Sequence, residues 1–589
     1  MGYQRAHSVS FSLRDDEYHT TSRRTRTRFS QLFFSLLLLA AFSFYVSSAI
    51  SGSSFYYFQV NLTVQSNHVT NQGFEELYNV TSLSRHVSSV EEDSVHKYES
   101  VSVLLPDWEV LVILSPENPL MPSDSLEGFH CLFSNNQTSP ARFSETLPFT
   151  ERTAFKCIMP NGVRRQMPFW QPILTKHPEK ETLPKEEQRE LMNMKNLAYE
   201  SISTESDVVL FVKGVNSRSG INSPPQDFMC IFGDDVVHGA VKTPVTSSMQ
   251  EVFRCSHPDL TALSSSGADQ GRPIKISLQI TKENRTVPSV AYYTPRHEIA
   301  LTQEPKKSEI CACTMIYNVG KFLKEWVIYH SKIGVDKFIL YDNGSDDGLQ
   351  TVVNELNLDG YDVTTLLWLW PKTQEAGFSH GAIHAKDSCK WMLYVDVDEF
   401  VYSPSWDKAS QPSKHMLKSL LPQQSSSIGQ VSFRCNDFGP SGQKSHPVRG
   451  VTQGYNCQRR VKEPRHKSIV LLEAIDDSLG NVVHHFGLKK TFKWKQMSVH
   501  DGMVNHYKYQ AWSEFKAKFR RRVSAYVTDW KEKTNPNSKD RTPGLGFQSI
   551  EPEGWEHKFC DHRDDRLKLL TQRWFGEQTP HGYKMAWQR

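Results

Sequence analysis

The pattern of apolar and polar positions divides the chain into stretches with different demands. Residues 31–50, QLFFSLLLLAAFSFYVSSAI, carry no charge, and about 20 such residues cross a bilayer core as a helix. Arg23, Arg24, Arg26 and Arg28 stand just before them. The positive-inside rule then predicts a cytosolic tail over residues 1–30 and a lumenal remainder. The length of the run and its extended basic flank favour an anchor over a cleaved signal peptide. Residues 51–100 are polar and Ser-rich, a stem. From 101 to 300, β-branched and aromatic runs alternate with turns such as SPENPLMPSDS, which predicts an all-β, sandwich-like region. EVLVIL (109–114), FHCLF (129–133) and FKCIMP (155–160) return about 98 residues later as DVVLFV, FMCIF and FRCSHP, so the region reads as a duplicated unit. Between the copies, residues 183–200 read as a helix or connector.

Past residue 300 the period changes. SEICACTMIYN is a strand-like run ending at Asn318, and Phe322, Leu323, Trp326, Val327, His330 and Ile333 follow at helical spacing. DKFILYDNGSDDG is a second strand ending at Asp342. LQTVVNELNLDG gives a helix, YDVTTLLWLW a third strand and WMLYVDVDEFVY (391–402) a fourth. Alternating strands and helices predict an α/β domain over 301–589 with a largely parallel sheet. Such sheets bind ligands beyond the carboxyl ends of their strands, where Asn318, Asp342, Asp396 and Asp398 converge. Read as one strand, 391–402 puts Asp396 and Asp398 on one face and Glu399 on the other. Two carboxylates at the end of a buried run need a cation or basic partners, and hard oxygen ligands suit Mg²⁺ or Mn²⁺.

Composition narrows the class. A chain of 589 residues exceeds one core and predicts two or three domains. A net charge of +3 gives no nucleic-acid signature. Asn-x-Ser/Thr acceptors at Asn61, Asn79, Asn136, Asn284 and Asn343 suit a lumenal chain. So do ten cysteines, all beyond the apolar run, which allow up to five disulfides. Cys131 with Cys157 and Cys230 with Cys255 would close the two copies. Cys311, Cys313, Cys389, Cys435, Cys457 and Cys560 leave about 15 connectivities open. No CxxC pair is present, which argues against a zinc ribbon.

CTMIYNVGKFLKEWVIYHSKIGVDKFILYDNGSDDG, MLYVDVDEF, FGPSGQKSHP, HKSIV and VNHYKYQAWSEFKAKFRRR resemble successive blocks of glycosyltransferase family 92, in family order across residues 310–522. KTQEAGFSHG and FRCNDFGPSGQ are similar to the plant β-1,4-galactan synthases within it. The resemblance implies a GT-A (Rossmann-like) domain, an upstream region like a carbohydrate-binding module, and a Golgi type II membrane protein. It also implies an inverting, Mn²⁺- or Mg²⁺-dependent transfer of galactose from UDP-galactose to β-1,4-galactan chains of pectin. Another UDP-sugar or acceptor, or an inactive lumenal glycan-binding scaffold, stays open, and so does a homodimer.

Carried onto this sequence, the resemblance makes Asp396 and Asp398 the seat of diphosphate and metal, with His506 as a further metal ligand. His484 and His485 rank below it. Asn318 and Asp342 would hold the nucleoside, although Asp342 also suits a turn cap. Inversion needs a base for the acceptor hydroxyl. Asp437 is the expected one, with Glu399 and His446 as rivals. Lys508, Lys516, Lys518 and Arg520 to Arg522 would close over the diphosphate or form a solvated helix face. Trp368, Trp370 and Phe378 would stack on acceptor sugars or lie in the core.

Overall fold

A computed structural model describes residues 98–524 and 551–589, apart from 117–119, 121–124, 166, 182–187, 217–220, 234–239, 260, 262–272, 296–305, 424–425, 461–465 and 581. The expected tail, the apolar run 31–50 and nearly all of the stem, with Asn61 and Asn79, lie outside these residues. Among the described residues no helix is long and apolar enough to cross a membrane.

The described residues of 98–295 are built on β-strands joined by turns and short 3-10 helices. Arg142–Thr146 (β1) and Thr153–Ile158 (β2) belong to a five-stranded sheet, which continues through Glu109–Leu114, Ser100–Leu104 and Met192–Asn193. Leu197–Ser203 (β3) and Val208–Lys213 (β4) belong to an eight-stranded sheet. The duplication is visible in the pairing. Glu109–Leu114 runs antiparallel to β2 as β4 runs antiparallel to Val252–Cys255, and each copy is closed by its own disulfide, Cys131–Cys157 and Cys230–Cys255. The described part of 183–200 forms no helix. It holds Met192–Asn193 and the start of β3. Every residue of β3 is buried, so both faces are covered and the period-2 signal of a half-exposed strand is lost.

The α/β part is built on a nine-stranded mixed sheet. Its strands are Ser308–Ile316 (β5), Lys337–Asp342 (β6), Asp362–Leu367 (β7), Cys389–Tyr394 (β8), Glu399–Tyr402 (β9), Ile428–Asp437 (β10), His466–Leu471 (β11) and Met503–His506 (β12). The order is β7-β6-β5-β8-β11-β10-β12-β9, with Lys493–Gln496 beside β10. β7, β6, β5 and β8 are parallel. β11 turns the direction, pairing antiparallel with β8 and β10. Helices Gly320–Ile333 (α1), Leu349–Leu358 (α2) and Gln374–His384 (α3) form the crossovers that parallel strands require, and Trp512–Ser524 (α4) follows β12.

Residues 92–589 form one compact unit. A single core joins Tyr199, Val209 and Phe211 of the β region to Trp368, Trp370 and Phe378 of the α/β part. Those three aromatics are therefore interior: Trp370 is 1% exposed, and the other two not at all. Of their two expected places the core is the one found, with Trp370 also at the edge of the cavity described below. Four disulfides form rather than five. Cys311–Cys389 and Cys457–Cys560 close the α/β part, while Cys313 and Cys435 stay free and buried.

Candidate active site

The strand of 391–402 is broken where the carboxylates stand. β8 ends at Tyr394 and β9 begins at Glu399. Between them the chain turns, with Glu399 N–H donating to the Asp396 carbonyl at 3.0 Å and Asp396 N–H donating to Glu399 Oε2 at 2.7 Å. The expectation that Glu399 faces away from the two aspartates is thereby corrected. Alternation holds only along a continuous strand, and the turn brings Glu399 into the same site.

Sheet register supplies the rest. His506 lies opposite Glu399 across β9 and opposite Asp437 across β10, so three strands set these side chains in one row. His506 Nδ1 is 3.0 Å from Asp437 Oδ1. Its Nε2 is 3.6 Å from both Asp398 Oδ2 and Glu399 Oε1. Asp398, Glu399 and His506 are all buried, and each offers a ligand atom within 4.8 Å of the others. One of these atoms, His506 Nε2, has no hydrogen-bond partner, while Glu399 Oε1 meets only the Lys467 ammonium. Burying a ring nitrogen unmatched is costly, and a divalent cation would satisfy it while Asp398 and Glu399 supply oxygens. Carboxylate oxygens with one imidazole suit Mn²⁺ or Mg²⁺, so the residues fit the metal that the resemblance implies.

Basic groups ring this cluster. Lys467 Nζ lies 2.8 Å from Asp396 Oδ2 and 2.8 Å from Glu399 Oε1, and 2.6 Å from His484 Nε2. Lys518 of α4 is ion-paired with Asp398, and Lys508 with Asp437 at 3.1 Å. Burial alone would raise the aspartate pKa values, but Lys467 holds Asp396, and Lys518 with His506 holds Asp398, well below the carboxylate range. Glu399 goes the other way, raised by burial and by the neighbouring aspartates despite Lys467. Burial pulls His506 down, yet Glu399 and Asp398 outweigh it and raise the imidazole overall. Burial and the Lys467 charge push His484 far down, so this ring is neutral and accepts from the ammonium.

Other expected residues fall elsewhere. Asp396 lines the cavity but stands outside the three-ligand cluster, held by Lys467. His484 and His485 also lie outside the cluster. Asp437 does not line the cavity. Both its oxygens are engaged, and His506 and Lys508 overcome burial to hold it strongly ionised. Through Nδ1 it fixes the His506 imidazole. His446 packs edge-on against Phe322 at 4.9 Å and does not itself line the cavity. Asn318 does not line the cavity either. Its amide donates to Asp346 at 2.6 Å and accepts from Asp346 N–H at 2.9 Å, which clamps two loops together. Asp342 both caps its turn, accepting from Ser345, and lines the cavity. Lys467 was missed as a site residue, although HKSIV places a lysine inside a β-branched run.

The cluster sits in a cavity of about 1040 Å³, which is lined by the carboxyl ends of β6 and β8 and also by β1 and β2. The sequence profile described as glycosyltransferase family 92 matches residues 306–542. A glycosyltransferase family 92 protein of Arabidopsis thaliana is 41% identical over 413 residues, 69% of this chain and 70% of the relative. One from Oryza sativa subsp. japonica is 40% identical over 398 residues, 65% and 66% of the two chains. One from Ricinus communis is 42% identical over 402 residues, 67% and 69%. The chain thus spans about two thirds of each relative. Among solved structures, a mannosyltransferase from Pyrobaculum calidifontis in complex with GDP-Man and Mn²⁺ aligns at 12% identity and a TM-score of 0.23, covering 39% of this chain and 66% of that one. Glucosyl-3-phosphoglycerate synthase from Mycobacterium tuberculosis aligns at 13% identity and a TM-score of 0.18, covering 28% and 58%. Both structural likenesses are slight.

Proposed function

Because the chain belongs to glycosyltransferase family 92, we propose that it is an inverting, metal-dependent enzyme of the GT-A type. It moves galactose from UDP-galactose onto β-1,4-galactan chains of pectin. The observation that carries this reading is the buried Asp398, Glu399 and His506 cluster, whose His506 Nε2 has no hydrogen-bond partner, set at the strand ends of a large cavity. The choice of galactose and galactan rests on KTQEAGFSHG and FRCNDFGPSGQ. The apolar run 31–50 with its arginine flank, the glycosylation acceptors and the disulfides support a single-pass type II protein of the Golgi membrane.

Each residue has a task in this reading. Asp437 accepts from His506 Nδ1–H and so leaves Nε2 free to ligate, the usual way an outer carboxylate fixes an imidazole. Asp398 and Glu399 give oxygen donors. A divalent cation held there supplies positive charge against the departing diphosphate. Lys518 adds an ammonium beside Asp398, and Lys467 keeps Asp396 ionised and fixed in place. Asp342 faces the nucleoside from the next strand but one.

The test is to incubate the full-length chain with UDP-galactose, Mn²⁺ and galacto-oligosaccharides and to follow chain length by mass spectrometry. We expect stepwise extension that Asp398→Ala abolishes. No extension by the wild type, with the variant equal to it, would sink the reading. Extension from another UDP-sugar alone would keep the transferase and overturn the galactose assignment.

A further inference from the structure

The cavity's outer wall comes from a part of the chain that the family profile does not cover, since Arg142, Glu145 and Lys156 of β1 and β2 line the same space as Asp342 and Asp398 while the profile begins at 306. These side chains approach the turn after β6 closely. A Cβ placed on Gly344 would lie 2.7 Å from Lys156 Nζ, so the Lys156 ammonium rests directly against this turn. Gly344 has φ of +84°, which favours glycine. Glu145 feels the charges of both Asp342 and Lys156. Lys156 is half-buried, and it forms no ion pair or hydrogen bond among the described residues. Its charge also acts on Asp342, so the ammonium stands between two carboxylates at the cavity wall with its hydrogens unspent, placed to donate to acceptors that a ligand brings.

The wall is held rigidly. Phe149, in the loop between β1 and β2, packs on His380 of α3 with ring centres 4.7 Å apart. Lys213 at the end of β4 donates to the Pro371 and Lys372 carbonyls at 2.7 and 3.0 Å. The shared core lies beneath both contacts. A fixed polar wall is preorganised for binding.

Sheet order tells which end of a ligand meets it. β6 lies two strands from β8, about 10 Å across the sheet. With a diphosphate at the Asp398 cluster, that displacement carries its nucleoside to the Asp342–Gly348 turn. We propose that the first β-sheet is part of the donor site, with Lys156 and Glu145 hydrogen-bonding the ribose and base of a nucleoside diphosphate above that turn. This rests on the nucleotide-sugar reading of the cavity. It makes the β region part of the site that selects the donor, not only a surface for glycan.

The experiment is calorimetric titration of the full-length chain with UDP in the presence of Mn²⁺. Inorganic diphosphate with Mn²⁺ serves as a probe lacking the nucleoside. For Lys156→Ala and Glu145→Gln we expect UDP affinity to fall about tenfold, the loss of one good hydrogen bond, with diphosphate binding unchanged. UDP binding equal to the wild type in both variants overturns the inference alone. An equal fall for UDP and diphosphate also overturns it, because the contact is then with phosphate. If the wild type binds neither UDP nor other nucleoside diphosphates, the nucleotide-sugar reading fails and the inference falls with it.

Discussion

At the scale of single residues, the site depends on which oxygen faces which nitrogen. Asp437 has one oxygen on His506 Nδ1 and the other on Lys508, so its effect on chemistry passes through the imidazole. Asp437→Asn is expected to weaken Mn²⁺ binding about 10- to 100-fold, read by titration calorimetry. If Asp437 were the base, turnover would drop while Mn²⁺ affinity stayed the same. Glu200 shows a different single-residue effect. Burial pushes its carboxyl from 4.5 up to about 7, against a hydrogen bond from Ser201 N–H and the nearby Arg152 and Trp370. Its pKa is raised in the folded state, so its contribution is present in full below about pH 4.5 and lost as pH rises through about 7. The loss is about 3 kcal/mol at most. Glu325, also raised to about 7 by burial, adds a loss of the same sign. The unfolding temperature should therefore fall across this window, and Glu200→Gln should flatten part of the slope. An unchanged slope would show that Glu200 titrates normally.

At the scale of elements, helix α3 reaches the sheet through two glycines one helical turn apart. A Cβ on Gly381 would meet Cys313 Sγ at 2.9 Å and Tyr341 Cε2 at 3.3 Å, and one on Gly377 would meet Met315 Sδ at 2.8 Å. Cys313 and Tyr341 are fully buried and have no room to retreat. Gly381→Ala gains about 1 kcal/mol in helix propensity, but overpacking a tight core costs about 1–3 kcal/mol. A net loss of stability is expected, seen as a lower unfolding temperature. A rise would mean that this face is looser than the contact distances say. The close approach also serves the site, since Gln374 and Glu375 at the start of α3 line the cavity.

At the scale of the whole molecule, the β region and the α/β part share one interior. Expressing residues 306–589 alone would strip Tyr199, Val209 and Phe211 from Trp368, Trp370 and Phe378, leaving an apolar surface that favours aggregation. We expect that fragment to aggregate, measured by size-exclusion chromatography, while the full chain does not. A soluble fragment with one sharp unfolding transition would mean that the two parts fold independently.

The sequence alone determined what depends on local pattern. The change of period near 300, the α1 face and the strand ending at Asp342 follow from side-chain spacing. The duplicated cysteine pairs were legible because each lies within one repeat. Family motifs brought Asp398 and His506 forward together. Tertiary structure decided what depends on partners distant in the chain. Glu399 joined the site because a turn interrupts its strand, and Asp437 became a support for His506 because β10 and β12 run side by side in that register. Asn318 left the cavity because Asp346, on the next loop, satisfies its amide. Trp368 and Trp370 became core because another sheet covers them. Lys156 entered the site from a segment with no motif, carried there by packing. Spacing along a strand records which side a residue faces; only the packed fold settles what waits on that side.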